Sequence, residues 1–117
     1  MVRALELLGN PPSVRKARVF TADVLADDGV EASVIQLAVL LVSELVTVAL
    51  HARGMICLTV DTDDHRVRVE VEEGRSPPVL RPAPEDQVGL LVVDELASTS
   101  GTERRATQKV AWFELAR

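Results

Sequence analysis

Along residues 66–72, Val67, Val69 and Val71 alternate with Arg66, Arg68, Glu70 and Glu72, the two-residue period of a strand with one apolar and one wet face. Nearer the N-terminus the period changes: Val14, Ala17, Phe20, Val24 and Leu25 recur at three- and four-residue spacings, which predicts an amphipathic helix. The apolar residues 4–8 precede it as a short strand, broken by Gly9-Asn10-Pro11-Pro12. Ser13 is the expected cap of that helix, and Asp27-Asp28-Gly29 its stop. A second helix is predicted from Ser33 to about Ala52, apolar over most of its circumference and therefore expected beneath other elements. Arg53-Gly54 closes it.

Two β-rich runs follow, residues 55–61 and 65–73, joined by Asp61-Thr62-Asp63-Asp64 in the manner of a hairpin. Prolines in Gly74-Arg75-Ser76-Pro77-Pro78 and in Pro82-Ala83-Pro84-Glu85-Asp86 deny the backbone regular ladders and predict a loop. A short helix over 88–97 and two strands, near 98–103 and 109–115, complete the chain. The order strand, helix, helix, strand, strand, helix, strand, strand predicts an α+β fold in one domain, residues 1–117, with helices on one face of a mostly antiparallel sheet. Val67, Val69 and Val71 should face the helices, and the other sheet face should meet solvent or a partner.

Composition narrows this picture. At 117 residues and 47% apolar the chain can bury a core. Net charge is −5 and the basic residues are dispersed among acids, so nothing forms a platform for a phosphate backbone. Aromatics are limited to Phe20, Trp112 and Phe113, which removes the stacking surfaces of single-strand binders. Nucleic-acid binding is disfavoured. Gln36, Ser43, Glu44 and Thr47 interrupt the apolar run 34–50, which reads as too polar for a membrane span, and no secretory signal precedes it. The expected location is the cytoplasm. Cys57, the single cysteine, lies among Met55, Ile56, Leu58 and Val60 and is expected to be a buried thiol in a reducing compartment.

The sharpest chemical feature is Leu41-Val42-Ser43-Glu44-Leu45-Val46-Thr47-Val48-Ala49-Leu50-His51-Ala52, which sets polar groups in a helix otherwise committed to the core. Seven residues are almost two turns, so Glu44 and His51 share a face with Thr47 and Val48 between them. A buried carboxylate needs a cleft, a cation or a proton; the alternative is that this face reaches the surface at the helix end, where His51 would favour the negative pole. Glu72-Glu73 reads equally as a solvated strand end, and Lys109 as an exposed strand residue. His51, Cys57 and His65 lack the spacing of a metal site, and no metal ligands are expected.

The run 41–52 resembles the first conserved box of the histidine-kinase-like ATPases, in particular the small actinobacterial regulators similar to anti-sigma factor serine kinases. Other segments fall in matching order: Ser13-Val14-Arg15-Lys16-Ala17-Arg18 resembles the first helix, Val69-Glu70-Val71-Glu72-Glu73 the adenine-site strand, Val88-Gly89-Leu90-Leu91-Val92-Val93 the glycine-containing helix start, and Lys109-Val110-Ala111-Trp112-Phe113-Glu114-Leu115 the final strand. The resemblance implies a two-layer α/β sandwich of Bergerat type, a mostly antiparallel mixed sheet under three helices.

It also implies a damaged nucleotide site. Glu44 matches the general base of active relatives, but the asparagine that would hold magnesium is either replaced by Val48, which has no lone pair for a hard cation, or deleted, since His51 comes one residue early; the magnesium ligand is lost in both alignments. Glu73 stands for the adenine-contacting aspartate, one methylene longer. Gln87-Val88-Gly89-Leu90 thins a glycine-rich turn to Gly89 alone. Gln108 replaces a glycine of relatives, while Lys109 and Trp112 follow the pattern. Glu73, Gly89, Thr47, His51 and Lys109 are thus the implied nucleotide-binding residues and Glu44 the catalytic one, with ATP held weakly and magnesium doubtful. Phosphoryl transfer depends on positioning and metal charge, so these losses should cost orders of magnitude in rate. The implied function is a pseudoenzyme that regulates transcription by binding a sigma factor or an anti-sigma antagonist domain, as a homodimer. A working protein serine kinase and a small-molecule receptor using the vacated cleft are the alternatives.

Overall fold

The computed structural model describes residues 1–50, 54–73, 84–106 and 108–117, with the side chains of 84–87 excepted. Its elements are β1 (Val2–Leu8), α1 (Pro12–Asp27), α2 (Ala32–Ala49), β2 (Met55–Thr62), β3 (Arg66–Glu73), α3 (Pro84–Leu96), β4 (Thr99–Arg105) and β5 (Gln108–Ala116). This is the expected order, element for element. The strands form one sheet in the order β1-β2-β3-β5-β4. All four pairings are antiparallel, so the described strands carry no parallel component of the mixed sheet implied by the resemblance. Two hairpins and the insertion of β5 between β3 and β4 account for the difference.

One face of the sheet carries the core. Leu7, Ile56, Leu58, Val60, Val67, Val69, Val71, Phe113 and Leu115 are buried in a single cluster with Ala17, Val24 and Leu25 of α1 and Leu41, Val42, Leu45 and Val46 of α2. The alternation in β3 therefore has the predicted sense. By length and composition α2 could cross a membrane, at 18 residues and mean hydropathy 2.0, which corrects the reading of its polar interruptions as excluding a span. Here its apolar side chains are the central strip of the core.

Local starts and stops differ from expectation where proline intervenes. Ser13 does not cap α1: the N-cap is Pro11, with no capping side-chain bond, and Pro12 opens the helix where a missing N–H costs nothing. Ser13 is buried in the first turn and its Oγ donates to the Leu8 carbonyl and to Asn10 Oδ1. The helix predicted from 88 instead begins at Pro84, since proline suits a first turn, where a missing N–H costs nothing. Most of the proline-bearing loop, residues 74–83, lies outside the described residues. Cys57 is half-buried rather than buried, because β2 turns Ile56, Leu58 and Val60 inward and Cys57 outward between Glu6 and Glu72.

Glycine is required where β1 leaves the sheet. A Cβ on Gly9 would stand 2.7 Å from the Gly54 carbonyl oxygen, a backbone atom that cannot swing aside. Gly9→Ala is expected to lower stability by on the order of 1 kcal/mol by overpacking, read as a shift of the urea midpoint; an unchanged midpoint would show that the two segments can part freely.

The helix-free face carries a network of ions around Trp112 and the buried Val110. Arg68 pairs with Glu70 (3.0 Å) and Glu114 (3.1 Å), Arg66 with Glu114 (2.6 Å), and Arg105 with Glu70 (2.8 Å) and Glu103 (2.5 Å). The Arg68 guanidinium also sits 4.2 Å from the centre of the Trp112 ring. That ring lies across Gly101, where a Cβ would approach within 3.0 Å of it.

Candidate functional site

Glu44, Val48 and Gly89 come together where α3 crosses the C-terminal half of α2. Gly89 is buried, and a Cβ added to it would meet Glu44 Oε2 at 3.1 Å and Val48 Cγ2 at 3.4 Å. Lack of a side chain lets the helices touch, so the Glu44 carboxylate and a Val48 methyl rest on the α3 backbone. Gly89 is the sixth residue of its helix, not at the start, and its amide belongs to the i→i−4 ladder. Amides free to receive an anion are those of the first turn.

Glu44 is half-buried, and among the described residues no hydrogen bond or ion pair engages its carboxylate. Thr47 faces solvent, and its Oγ1 donates to the Ser43 carbonyl at 2.6 Å, a bond internal to the helix. His51 lies outside the described residues.

Glu73 and Lys109 belong to the helix-facing rows of β3 and β5, which continue from Val71 and Ala111. Glu73 pairs in register with Ile56 and Lys109 with Arg104, and both are half-buried. Their row-ends lie side by side at the sheet end where β2 begins, a short connection beyond Leu50, the C-cap of α2. The fold thus brings Glu44, Val48 and Gly89 into contact, sets Glu73 and Lys109 at one end of the sheet, and turns Thr47 outward. Among the described residues, no group of three or more His, Cys, Asp or Glu side chains could hold a metal ion.

Sequence reasoning missed a second feature on the same helix pair. Leu90, Leu91, Val93 and Asp94 of α3 and Ser100, Gly101 and Thr102 of β4 border an open cleft of ≈ 420 Å³, which Leu45 of α2 and Trp112 of β5 also line. Small residues in β4 leave this space, and Ser100-Gly101-Thr102 was the available signal.

No family model matches the chain, and no curated protein does. Among solved structures the chain is similar to the RsbU and RsbW domains of Rv1364c from Mycobacterium tuberculosis, at 20% identity and a TM-score of 0.75. The match covers 98% of this chain and 33% of that one, so the present chain spans about one third of its length. At that identity the likeness concerns the fold: a two-layer α+β sandwich with a five-stranded antiparallel sheet beneath three helices.

Proposed function

We propose that this domain is a regulatory module of the anti-sigma type, acting in the cytoplasm by binding a sigma factor or an anti-sigma antagonist domain rather than by phosphoryl transfer. One observation carries the reading: α3 is seated on α2 at the point where the resemblance would put the base, the metal ligand and the phosphate loop. Glu44, Val48 and Gly89 are packed against one another there, within 3.4 Å of a Cβ that is absent. A methyl group of Val48 offers a divalent ion nothing, and the Gly89 amide is held in the helix. The residues present therefore do not fit magnesium triphosphate. Likeness to a solved chain that includes an RsbW domain supports the regulatory class.

The test is a calorimetric titration with ATP, with and without magnesium, beside a binding assay against the sigma factors and antagonist domains of the source organism. Expected are ATP binding no tighter than about millimolar, indifferent to magnesium, and saturable binding of one protein partner. Low-micromolar affinity that needs magnesium would overturn the degenerate site. Transfer of labelled phosphate from ATP to a partner serine, abolished by Glu44→Gln, would replace it with the kinase reading.

We also propose a homodimer in solution. Its check is the mass by sedimentation at micromolar concentration; a mass equal to one chain rejects it.

A further inference from the structure

The cleft between α3 and β4 adjoins a sheet edge that no described strand covers. β4 is terminal in the order β1-β2-β3-β5-β4, so one row of its backbone donors and acceptors is left for another chain. Natural edges are often blunted by proline, brevity or charge; β4 has no proline, runs seven residues and confines its charges to Glu103, Arg104 and Arg105, leaving the half beside the cleft uncharged. Residues 100, 102 and 104 point to the helix side, as their register partners Phe113, Ala111 and Lys109 do. A strand laid beside β4 would send alternate side chains toward the cleft, where Leu45, Leu90 and Val93 supply apolar lining. Leu91 and Val88 stand 66% and 61% exposed on α3, the former at the rim of the cleft.

The charges at its two ends have opposite sign. At the Ser100 end lies Asp94, whose Oδ1 accepts from Ser100 Oγ at 3.1 Å and which makes no ion pair among the described residues. Exposed Glu95 follows it. At the other end is Arg104, exposed and likewise without an ion pair among the described residues, in register with Lys109. Four residue steps of strand, from Ser100 to Arg104, separate the two ends, about 13 Å.

We infer that this edge and cleft bind an extended peptide of a partner protein as an added strand beside β4. Its central aliphatic side chain enters the cleft opposite Thr102. A basic residue two positions to one side meets Asp94, and an acidic residue two positions to the other meets Arg104. Backbone ladder bonds supply affinity, and the polar pair fixes the direction in which the segment lies. This rests on the protein-binding reading and deepens it by naming the surface and the chemistry of the ligand.

The experiment is selection of a phage-displayed library of short random peptides on the immobilised full chain. Binding of the enriched peptides is then measured to the parent protein and to three variants. The expected consensus is a basic, an aliphatic and an acidic residue at alternate positions, with slowed amide exchange across β4 in the complex. Thr102→Trp fills the cleft, and Leu91→Glu, at an already exposed site, charges its rim; each should weaken binding by about tenfold or more. Asp94→Lys should shift the selected residue at that end from basic to acidic. Peptides that bind Thr102→Trp and Leu91→Glu as well as the parent, or that leave β4 exchange unchanged, overturn the proposal while leaving partner binding elsewhere intact. No enrichment also overturns it, and the sigma-factor assay then decides separately whether the protein-binding reading stands.

Discussion

Truncating Phe113 to alanine is expected to destabilise the domain by about 3–5 kcal/mol, a large share of the roughly 5–15 kcal/mol that holds a domain of this kind together. Phe113 is fully buried on β5, in register with Val69 of β3 and Ser100 of β4. It is the largest of the fully buried side chains, in a core otherwise built of valine, leucine, isoleucine and alanine. β-Branched neighbours such as Val67, Val69 and Val71 are stiff at χ1 and anchored in a strand, so they cannot swing in to fill the void. Chemical denaturation of the two proteins measures the loss. Phe113→Leu, which retains most of the volume, should lose far less. A loss below about 1 kcal/mol for Phe113→Ala would mean that α3 or β4 collapses into the space, and that the cleft beside them is soft.

The elements that could be read from the sequence are those whose pattern is local. Val67, Val69 and Val71 declare their strand and its buried face with no help from the rest of the chain, and α1 and α2 declare theirs by period. Cys57 was legible too, though its apolar neighbours hid it: Thr59 and Asp61 share its parity in β2, and that parity is the outward one. What was not legible depends on partners distant in sequence. Pro84-Glu85-Asp86 suits a loop and a first helical turn equally, and the packing of α3 on α2 decides between them. Gly89 looked like the remnant of a phosphate turn. Its demonstrable role, letting Glu44 and Val48 touch the α3 backbone, requires two helices separated by a hairpin to be placed side by side. Arg66, Arg68, Glu70 and Glu72 read as a wet face. Only the β3–β5 register, which sets Glu114 opposite Arg68 and Trp112 opposite Glu70, turns three of the four into a network.

Arg68→Ala should be the most damaging single change on the helix-free face. Arg68 joins β3 to β5 by its bond to Glu114 and covers Trp112. Its side chain is 22% exposed and those of Glu70 and Glu114 are 19% and 17%, so these pairs are shielded from solvent more than ordinary surface ion pairs. Removing it leaves two half-buried carboxylates short of a donor and uncovers one ring face, a loss of about 2 kcal/mol. The loss stops short of that for a fully buried pair, because Arg105 still holds Glu70 and Arg66 still holds Glu114. Lysine should rescue little, since an ammonium neither forks between two carboxylates nor stacks on an indole as a guanidinium does. Methionine, which restores the apolar stem over Trp112, should recover the packing share alone.

The pH dependence separates charge from packing in the same variants. The Arg105 hydrogen bonds, joined by that of Arg68, hold the Glu70 carboxyl below its ordinary 4.5. Burial pushes the Glu114 carboxyl up, but bonds from Arg68 and Thr99 outweigh it and hold that group low as well. Carboxylates depressed in the folded state stabilise fully above their unfolded value and lose that contribution as pH falls through the folded one. The parent protein should therefore lose stability steadily below about pH 4.5, and Arg68→Ala and Arg68→Met should both fall less steeply because part of the linkage is already gone. Urea midpoints across that range, followed by Trp112 fluorescence, measure it. Parallel curves for parent and variants would show that Arg68 acts on the indole alone and that the carboxylates are held by Arg66 and Arg105 without it.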